Sequence, residues 1–383
     1  MLHAEQIRQG RRLLELMDSR ATAMADGIYR NPVSDYASPE QAALERTMLF
    51  RRYPLNLGLS CRLPDPGDWL AEEIDGMPIL LARDGEGRLH AMQNICCHRG
   101  ARLAEGCGSG ARAFKCPYHA WAYGLDGRLL ARPHEAAFAE LDKATHGLLP
   151  LPVEERDGLI WLLPADEARR DVKAHLGGLD EEFAAFGLDG WHHYETRTLT
   201  RRMNWKLVVD TFLETYHLST LHRNTVHPIL HTDLATFDAY GRNLRMIAAR
   251  RTIDELRGQP EDAWDLVRHT AIIYVLFPNT VVVGQGDHIE TWQVFPTENA
   301  PNEARMVVSF YIPEPATTEK ARRHWDRNFD LLWATVLDED FPLGEGVQRG
   351  FVHGGQQEIT FGRNEPALQH FHGSVRAALD EAS

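Results

Sequence analysis

The chain has 383 residues, and its 55 acidic residues outnumber its 41 basic ones, which gives a formal net charge of −14. A chain this acidic repels phosphate backbones and anionic lipid surfaces, which excludes nucleic acid and membranes as main partners. With 43% hydrophobic and 25% charged residues it has a globular composition, and at about 150 residues per domain its length predicts two or three domains. The first residues lack the apolar stretch of a secretory leader, so we expect a cytoplasmic protein with no membrane span.

Helical segments are expected at both ends of the chain. The first covers residues 3–25, and a second begins near Pro39, where Ser38 fits the N-cap position. Beyond residue 166 the apolar pattern predicts, in chain order, a helix over 169–186, one long helix over 204–221, strands over 242–251, 270–286 and 289–296, and helices over 317–337 and 366–379.

The middle of the chain has the pattern of a β module. From residue 55 onward, short apolar runs are separated by turns at Asp75-Gly76, Asp126-Gly127 and Asp157-Gly158. We expect three regions: N-terminal helices over 1–49, an antiparallel β domain over 50–166, and a second domain over 167–383. The N-terminal helices are expected to pack on the domain over 167–383. Strands and helices are segregated without regular β-α-β alternation, which predicts an α+β fold.

Two Cys-His pairs in the β module are candidate metal ligands. Cys96-x-His98 and Cys116-x-x-His119 each lie beside turn-forming residues, so two loops at one end of the module are expected to converge. Two thiolates and two imidazoles suit either a structural Zn²⁺ or a [2Fe–2S] cluster in which His replaces Cys on one iron. The ligand types alone leave both open.

The residues around these pairs resemble the Rieske domain. The first loop reads Asn-Ile-Cys-Cys-His-Arg-Gly-Ala over 94–101, and the second reads Cys-Pro-Tyr-His-Ala-Trp over 116–121. The resemblance implies a Rieske [2Fe–2S] cluster with Cys96 and Cys116 on one iron and His98 and His119 on the other. Three further cysteines have no ligand role here: Cys97 is expected to pack away from the metal, and Cys61 and Cys107 to be core or surface thiols.

A second constellation lies in the segment Asn204 to His222. Glu214 precedes His217 by three residues, and His222 follows His217 by five. On one helix Glu214 and His217 would be neighbours, whereas a five-residue step turns about 140° away from its start, so His222 must leave the ideal helix if both imidazoles bind one metal. A helix with two histidines also fits a solvated face or a buried core position.

The order of a Rieske domain, then Asn-Trp-Lys at 204–206, then Glu214-x-x-His217-x-x-x-x-His222 resembles the large subunit of the Rieske non-heme iron oxygenases. The resemblance implies a helix-grip catalytic domain with an antiparallel sheet, and a mononuclear Fe(II) held by two His and one carboxylate. His217 and His222 take the His positions. Asp340, eight residues before Gln348, is expected to be the carboxylate, with Asp338 as the weaker candidate.

Two further positions depart from the ring-dioxygenase pattern. Glu214 occupies the position of the family's bridging Asp, which implies that it connects His217 to His119 of the next subunit in a head-to-tail homotrimer. Asp210 stands where dioxygenases often have an Asn near the iron. Other histidines at 192, 193, 227, 231, 324, 370 and 372 are expected to be surface or supporting groups.

The resemblance implies a terminal oxygenase component that uses O₂ and electrons from a separate NAD(P)H-dependent reductase, directly or through a ferredoxin. The main expectation is hydroxylation of a small aromatic substrate, as in aromatic compound catabolism. The alternative is oxidation or demethylation of quaternary amines or of methoxy and N-methyl compounds. A Rieske electron carrier without oxygenase activity is a remote third possibility. The substrate pocket is expected to include Thr211, Phe212, Leu218 and strand residues between Ile272 and Val294.

Overall fold

The computed structural model describes residues 1–297 and 300–381. Its N-terminal region contains α1 (His3–Ser19), β1 (Tyr29–Pro32), α2 (Ser34–Ala37) and α3 (Pro39–Glu45). Helix α1 is shorter than predicted because Arg20 adopts a left-handed conformation, φ 52°, and its N–H closes the last turn. The predicted start of α3 is confirmed, since the Ser38 side chain accepts a hydrogen bond from the backbone N–H of Gln41.

The β module is built from short antiparallel strands. They are β2 (Leu55–Leu59), β3 (Trp69–Ile74), β4 (Met77–Arg83), β5 (Leu89–Gln93), β6 (Cys107–Gly108), β7 (Phe114–Lys115), β8 (Ala122–Tyr123), β9 (Leu129–Ala131), β10 (Pro150–Leu151), β11 (Val153–Arg156) and β12 (Leu159–Leu162). Within the described residues they form a five-stranded sheet in the order β10-β5-β4-β3-β6 and two three-stranded sheets, β11-β12-β2 and β7-β8-β9.

Two of the predicted Asp-Gly hairpins are confirmed in their backbone geometry. Asp75 and Gly76, at φ 49° and 77°, join β3 to β4, and Asp157 and Gly158, at φ 51° and 76°, join β11 to β12. Positive φ at both central residues is the turn geometry that matches the twist of the flanking strands, and Asp-Gly is a residue pair that adopts it at low cost.

The region beyond the β module begins with α4 (Val172–Leu176) and α5 (Leu179–Ala184). The prediction of one helix over 169–186 was wrong, because Gly177 and Gly178 both adopt left-handed conformations, φ 62° and 105°, between the two helices. The rest contains β13 (His192–Arg201), α6 (Trp205–Asp210), β14 (Leu230–Tyr240), β15 (Asn243–Arg250), β16 (Thr270–Leu276), β17 (Thr280–Gly284), β18 (Ile289–Thr297), β19 (Ala300–Ile312), α7 (Glu319–Thr335), α8 (Phe341–Val352), β20 (Glu358–Phe361) and α9 (Pro366–Asp380).

A seven-stranded antiparallel sheet, in the order β13-β19-β18-β17-β16-β15-β14 within the described residues, forms the centre of this region. Alternate residues of each strand enter different apolar clusters: Met246 and Ile273 pack on the side of α6 and α8, and Ile247 and Ile272 on the side of α1, α4 and α5. The predicted strand over 270–286 is two strands, β16 and β17, with a turn between them. The α+β fold class, with a β module before an antiparallel-sheet domain, is therefore confirmed.

Strands β13, β14 and β19 were not predicted from the sequence. Strand β13 reads His-His-Tyr-Glu-Thr-Arg-Thr-Leu-Thr-Arg and is partly exposed along its length, so its apolar alternation is weak. Its pairing with β19 extends from His192 opposite Ile312 to Arg201 opposite Ala304. Such an edge strand is stabilised by its hydrogen bonds to the neighbouring strand and by packing on the sheet. These long-range contacts leave no signal in the local sequence.

The turn at Gly158 gives a test of the packing between the β module and the segment that follows it. A Cβ at Gly158 would lie 2.5 Å from Cβ of Leu188, and the backbone there is left-handed at φ 76°. We expect Gly158→Ala to lower the free energy of unfolding by about 2 kcal/mol. Gly87→Ala is the matched control: its φ is 81°, but nothing in the described residues lies within 4 Å of its Cβ. Thermal melting of both variants checks this, and equal melting temperatures would contradict the packing argument.

Candidate metal centres and substrate pocket

The two predicted cluster loops have the same backbone design. In the first, Cys96 accepts a hydrogen bond from the N–H of Gly100 at 2.9 Å and donates its own to the carbonyl of Ala101 at 2.8 Å. In the second, Cys116 accepts from Ala120 at 3.0 Å and donates to Trp121 at 2.8 Å. Each loop therefore closes on its cysteine and directs the His of the same loop toward a common point.

The two predicted cluster loops approach each other at their histidines. Cys96 and Cys116 are buried at 2% and 3% exposure, and the rings of His98 and His119 lie 4.6 Å apart. The Nδ1 atoms of both histidines are buried and have no hydrogen-bond partner within residues 1–297 and 300–381. Buried nitrogens are normally paired, so this arrangement fits a metal cluster bound by two sulfurs and two Nδ1 atoms.

The surroundings of these ligands are partly aromatic. Trp121 stacks on His98 at 4.8 Å with an interplanar angle of 1°. The hydroxyl of Tyr123 lies 3.2 Å from Cys96 Sγ and accepts the backbone N–H of Cys97 at 3.2 Å. Cys97 was expected to be packed, but it is exposed, and its Sγ donates a hydrogen bond to the carbonyl of Gly147 at 2.6 Å.

The second constellation does not lie on a long helix, so that prediction was wrong. Helix α6 ends at Asp210, and the chain continues through turns into a short 3₁₀ segment, Tyr216–Ser219. One carboxylate oxygen of Glu214 accepts the backbone N–H groups of Tyr216 and His217, the latter at 3.1 Å. A continuing helix would have used these N–H groups in its own backbone hydrogen bonds. Because the Glu214 side chain accepts them instead, the helix ends before this segment.

The broken helix brings His217, His222 and Asp340 together. Their metal-binding atoms all lie within 4.8 Å of one another, with Asp340 Oδ1 3.8 Å from His217 Nε2 and 3.1 Å from His222 Nε2. Asp340 is the last residue of a π-helical turn, Val336–Asp340, between α7 and α8. Asp338 in the same turn is exposed to solvent. A π turn inserted between two α-helices is a frequent feature of functional sites.

Each histidine of this group has its Nδ1 held by a carboxylate. Glu214 contacts Nδ1 of His217, and Glu339 lies 2.6 Å from Nδ1 of His222. Thr225 donates a further hydrogen bond to Glu339 at 2.7 Å, and these contacts outweigh burial and lower the pKa of Glu339 below its ordinary value. The Nε2 atoms are thereby left facing Asp340, which fits a two-His, one-carboxylate metal site.

The sequence analysis did not identify Glu339. The only signal available was its position directly before Asp340. In the structure Glu339 holds Nδ1 of His222, which lies 117 residues earlier in the chain, while the next residue, Asp340, faces both imidazoles.

Asp210 belongs to a different hydrogen-bond network. Tyr36 donates to one carboxylate oxygen at 3.0 Å, and His372 Nε2 lies 2.8 Å from the other. Asn31 contacts Nδ1 of His372 at 3.3 Å. Burial and the neighbouring carboxylate raise the pKa of Tyr36 well above its ordinary value, so it remains a donor. His372 therefore supports Asp210. The additional histidines were expected to be either surface or supporting groups, and His372 is of the second kind.

Asp210 and Glu214 both line an open cavity of about 530 Å³ on one side of His217. Its rim carries the exposed apolar side chains of Leu343 and Val347. The cavity leaves one side of Glu214 and His217 accessible from outside the chain.

A second cavity lies between the His-His-Asp group and the sheet. Its inner part, about 120 Å³, is lined by His217, His222 and Asp340 together with the predicted residues Thr211, Phe212 and Leu218. The strand residues that line it are Met246, Ala248, Ala271, Ile273, Val283 and Glu290, and Gln285 lines it from the turn between β17 and β18. An outer part of about 460 Å³ adjoins it, and the two share Val226, Leu230, Gln285, Glu290, Leu332 and Thr335.

Comparison with known families identifies both regions. The family model for the Rieske [2Fe-2S] domain matches residues 55–146, and the model for the ring hydroxylating alpha subunit (catalytic domain) matches residues 188–381. The chain belongs to the Rieske oxygenase alpha subunits. This family consists of oxidoreductases that use O₂, and its cofactors are a Rieske [2Fe–2S] cluster and a mononuclear iron.

Individual relatives include enzymes of quaternary amine metabolism. The chain is 32% identical over 212 residues to the glycine betaine monooxygenase oxygenase subunit of Chromohalobacter salexigens, which covers 55% of this chain and 46% of that protein. It is 28% identical to choline monooxygenase of Spinacia oleracea, over 89% of this chain and 76% of that protein.

Solved structures have the same fold. The quaternary ammonium Rieske monooxygenase CntA in complex with L-carnitine aligns with a TM-score of 0.77 at 20% identity, covering 92% of this chain and 96% of that one. Naphthalene 1,2-dioxygenase from Rhodococcus sp. aligns with a TM-score of 0.74 at 18% identity, covering 98% and 99%. None of the helices in the described part of the chain combines the length and apolar character needed to cross a bilayer.

Proposed function

We propose that this Rieske oxygenase is a terminal oxygenase that uses O₂ and electrons from a separate reductase to oxidise a quaternary ammonium compound. Two kinds of relative support the substrate class: glycine betaine and choline monooxygenases by sequence, and CntA by fold. Aromatic hydroxylation, the main expectation from the sequence, has weaker support. The anthranilate 1,2-dioxygenase large subunit of Acinetobacter baylyi is 30% identical over 213 residues, but the match covers 45% of that protein.

The chemistry of the donor sets supports the following ligand assignments. Cys96, Cys116 and the Nδ1 atoms of His98 and His119 would hold the cluster, and His217, His222 and Asp340 would hold the iron. When bound, the cluster transfers single electrons and the iron activates O₂. Glu214 and Glu339 accept the Nδ1–H of His217 and His222, which orients both rings so that Nε2 faces Asp340.

Glu214 is also our candidate for electron transfer between subunits. Its carboxylate contacts His217 and lines the open cavity, so a second acceptor position is accessible from outside. In a head-to-tail ring, with a trimer as the proposed form, this carboxylate would accept a hydrogen bond from His119 of the partner subunit. His119 lies beside Tyr118, whose exposed side chain together with the apolar cavity rim offers apolar contact area for such docking.

The substrate class is tested by a single-turnover reaction that needs no reductase. Protein loaded with both metals is reduced chemically and then exposed to O₂ with glycine betaine, choline, benzoate or naphthalene. We expect oxidised or demethylated product only from a quaternary amine, measured by mass spectrometry of the products. Hydroxylated benzoate or naphthalene, with both quaternary amines unchanged, would contradict this function and favour ring hydroxylation.

Removal of the proposed bridge should separate metal content from turnover. We expect Glu214→Ala to keep the Rieske electron paramagnetic resonance signal and, with iron supplied in excess, about three irons per chain, while product formation falls about 100-fold or more. Glu214→Asp should recover part of the activity, because Asp retains a carboxylate. Glu358→Gln, at an exposed position of β20, is the control. Normal product formation by Glu214→Ala would overturn the bridge assignment.

Substitution of Glu339 should weaken iron binding and leave the cluster unchanged. Replacing it with Gln removes the charge that holds Nδ1 of His222, so we expect Glu339→Gln to lower the iron affinity by about tenfold. The measurement is iron lost to a chelator over time, with the Rieske signal recorded on the same sample. Asp338→Asn changes an exposed carboxylate one residue away and should behave as the unmodified protein; equal iron loss from both variants would refute the role of Glu339.

A further inference from the structure

A buried carboxylate lies in the wall of the proposed substrate pocket. Glu290 is on β18 with 1% exposure, between Val283 of β17 and Phe310 of β19 on the two neighbouring strands. Its oxygens have two long contacts, 3.3 Å to Nε1 of Trp292 and 3.3 Å to Nε2 of His288. Burial of a carboxylate costs free energy, and a bound cation in closer contact than His288 would offset more of that cost.

A partly buried cation stands further out in the same pocket. Arg250, at the end of β15, donates from Nε to the carbonyl of Thr270 at 3.1 Å and from Nη2 to Gln285. In the described part of the chain its Nη1 has no hydrogen bond. Burial lowers the pKa of Arg250, and the carboxylates of Asp287 and Glu290 offset that effect only in part, so the cation would gain from an anionic ligand.

The cavity walls order these groups from inside to outside. The inner part contains the His-His-Asp group and Glu290, and the outer part contains Glu290 and Arg250. Gln285 lines both parts and connects them. A ligand that extends from the iron position toward the opening therefore passes a carboxylate first and a guanidinium second.

The other charged groups of the outer pocket leave this order unchanged. His288 lies between the carboxylates of Asp287 and Glu290, which outweigh burial and raise its pKa above the ordinary value. Asp287 is half exposed and also contacts His324. Arg268 also lines the outer part, but its charge is paired with Asp265 at 2.7 Å. With His288 charged, the remaining groups Asp287, Glu290, His288 and Arg250 sum to zero, so the pocket favours a ligand that is neutral overall and carries separated charges.

We propose that the pocket binds a zwitterion, with a quaternary ammonium group beside Glu290 and an anionic group toward Arg250. This inference rests on the proposed oxidation of quaternary amines and narrows it to betaines. An N-methyl group of such a substrate would point to His217, His222 and Asp340. Choline would leave Arg250 without an anion, and a neutral aromatic ring would leave Glu290 with His288, at 3.3 Å, as its cation.

Three probes of nearly equal shape separate the two charges. Glycine betaine carries both, 3,3-dimethylbutanoate lacks only the positive charge, and choline lacks only the negative charge. Their affinities are measured by calorimetry on protein loaded with both metals. We expect glycine betaine to bind at least about tenfold more tightly than either of the other two.

Two variants assign each charge to its residue. Glu290→Gln should lower the affinity for glycine betaine by about tenfold and leave the affinity for 3,3-dimethylbutanoate unchanged. Arg250→Gln should lower the affinity for glycine betaine by a similar factor and leave the affinity for choline unchanged. The probe that lacks the matching charge reports on folding, so loss of affinity for that probe as well would contradict a charge-specific role. Arg323→Gln changes an exposed arginine that lines neither part of the cavity, and it should change none of the affinities.

The results distinguish this inference from the function on which it rests. If choline binds as tightly as glycine betaine and Arg250→Gln has no effect, the zwitterion assignment fails while oxidation of quaternary amines stands. If 3,3-dimethylbutanoate binds as tightly as glycine betaine, the role of Glu290 fails. If benzoate or naphthalene is hydroxylated in the single-turnover reaction and no quaternary compound binds, both proposals fail together.

Discussion

The contact between a carboxylate and the Nδ1 atom of a histidine determines the arrangement of the catalytic region. Glu214 holds His217 and Glu339 holds His222, so both rings present Nε2 to Asp340. A neutral imidazole has one donor and one acceptor nitrogen, and fixing the donor at Nδ1 fixes the acceptor at Nε2. Without these two carboxylates, three groups within 4.8 Å would be free to pair as an ordinary histidine–carboxylate cluster.

This requirement explains two irregularities of the backbone. Glu214 can reach Nδ1 of His217 because α6 stops at Asp210 and the carboxylate also binds the backbone N–H groups that a helix would have used. On the opposite side, Glu339 and Asp340 are consecutive residues of the π turn between α7 and α8, and both contact the site. Both departures from regular helix therefore have the same cause, which is to bring two carboxylates and two imidazoles to one point.

The sequence predicted the parts of the molecule that depend on local chemistry. The Asp-Gly hairpins and the Ser38 cap follow from a few adjacent residues, and so does the Rieske resemblance. The long helix over 204–221 was wrong because its apolar pattern does not reveal that Glu214 takes backbone donors. Glu339 was missed because its partner His222 lies 117 residues earlier in the chain, and the strands β13 and β19 because their stability comes from pairing across more than 100 residues of chain.

The central sheet explains why the pocket chemistry was harder to predict than the metal ligands. Both faces of β18 are covered, so Ile289, Thr291 and Gln293 are as deeply buried as Glu290, Trp292 and Val294. Alternation along such a strand does not distinguish an inner face from an outer one, and a lone Glu in it resembles a solvent-facing position. Only the pairing of β18 with β17 and β19 places Glu290 on the face toward His217 and His222.

The metal ligands come from loops and turns at the border of the cavity, whereas the charges that would select its ligand come from the sheet. The reaction class can therefore be read from short motifs, but the substrate class depends on the three-dimensional register of the strands.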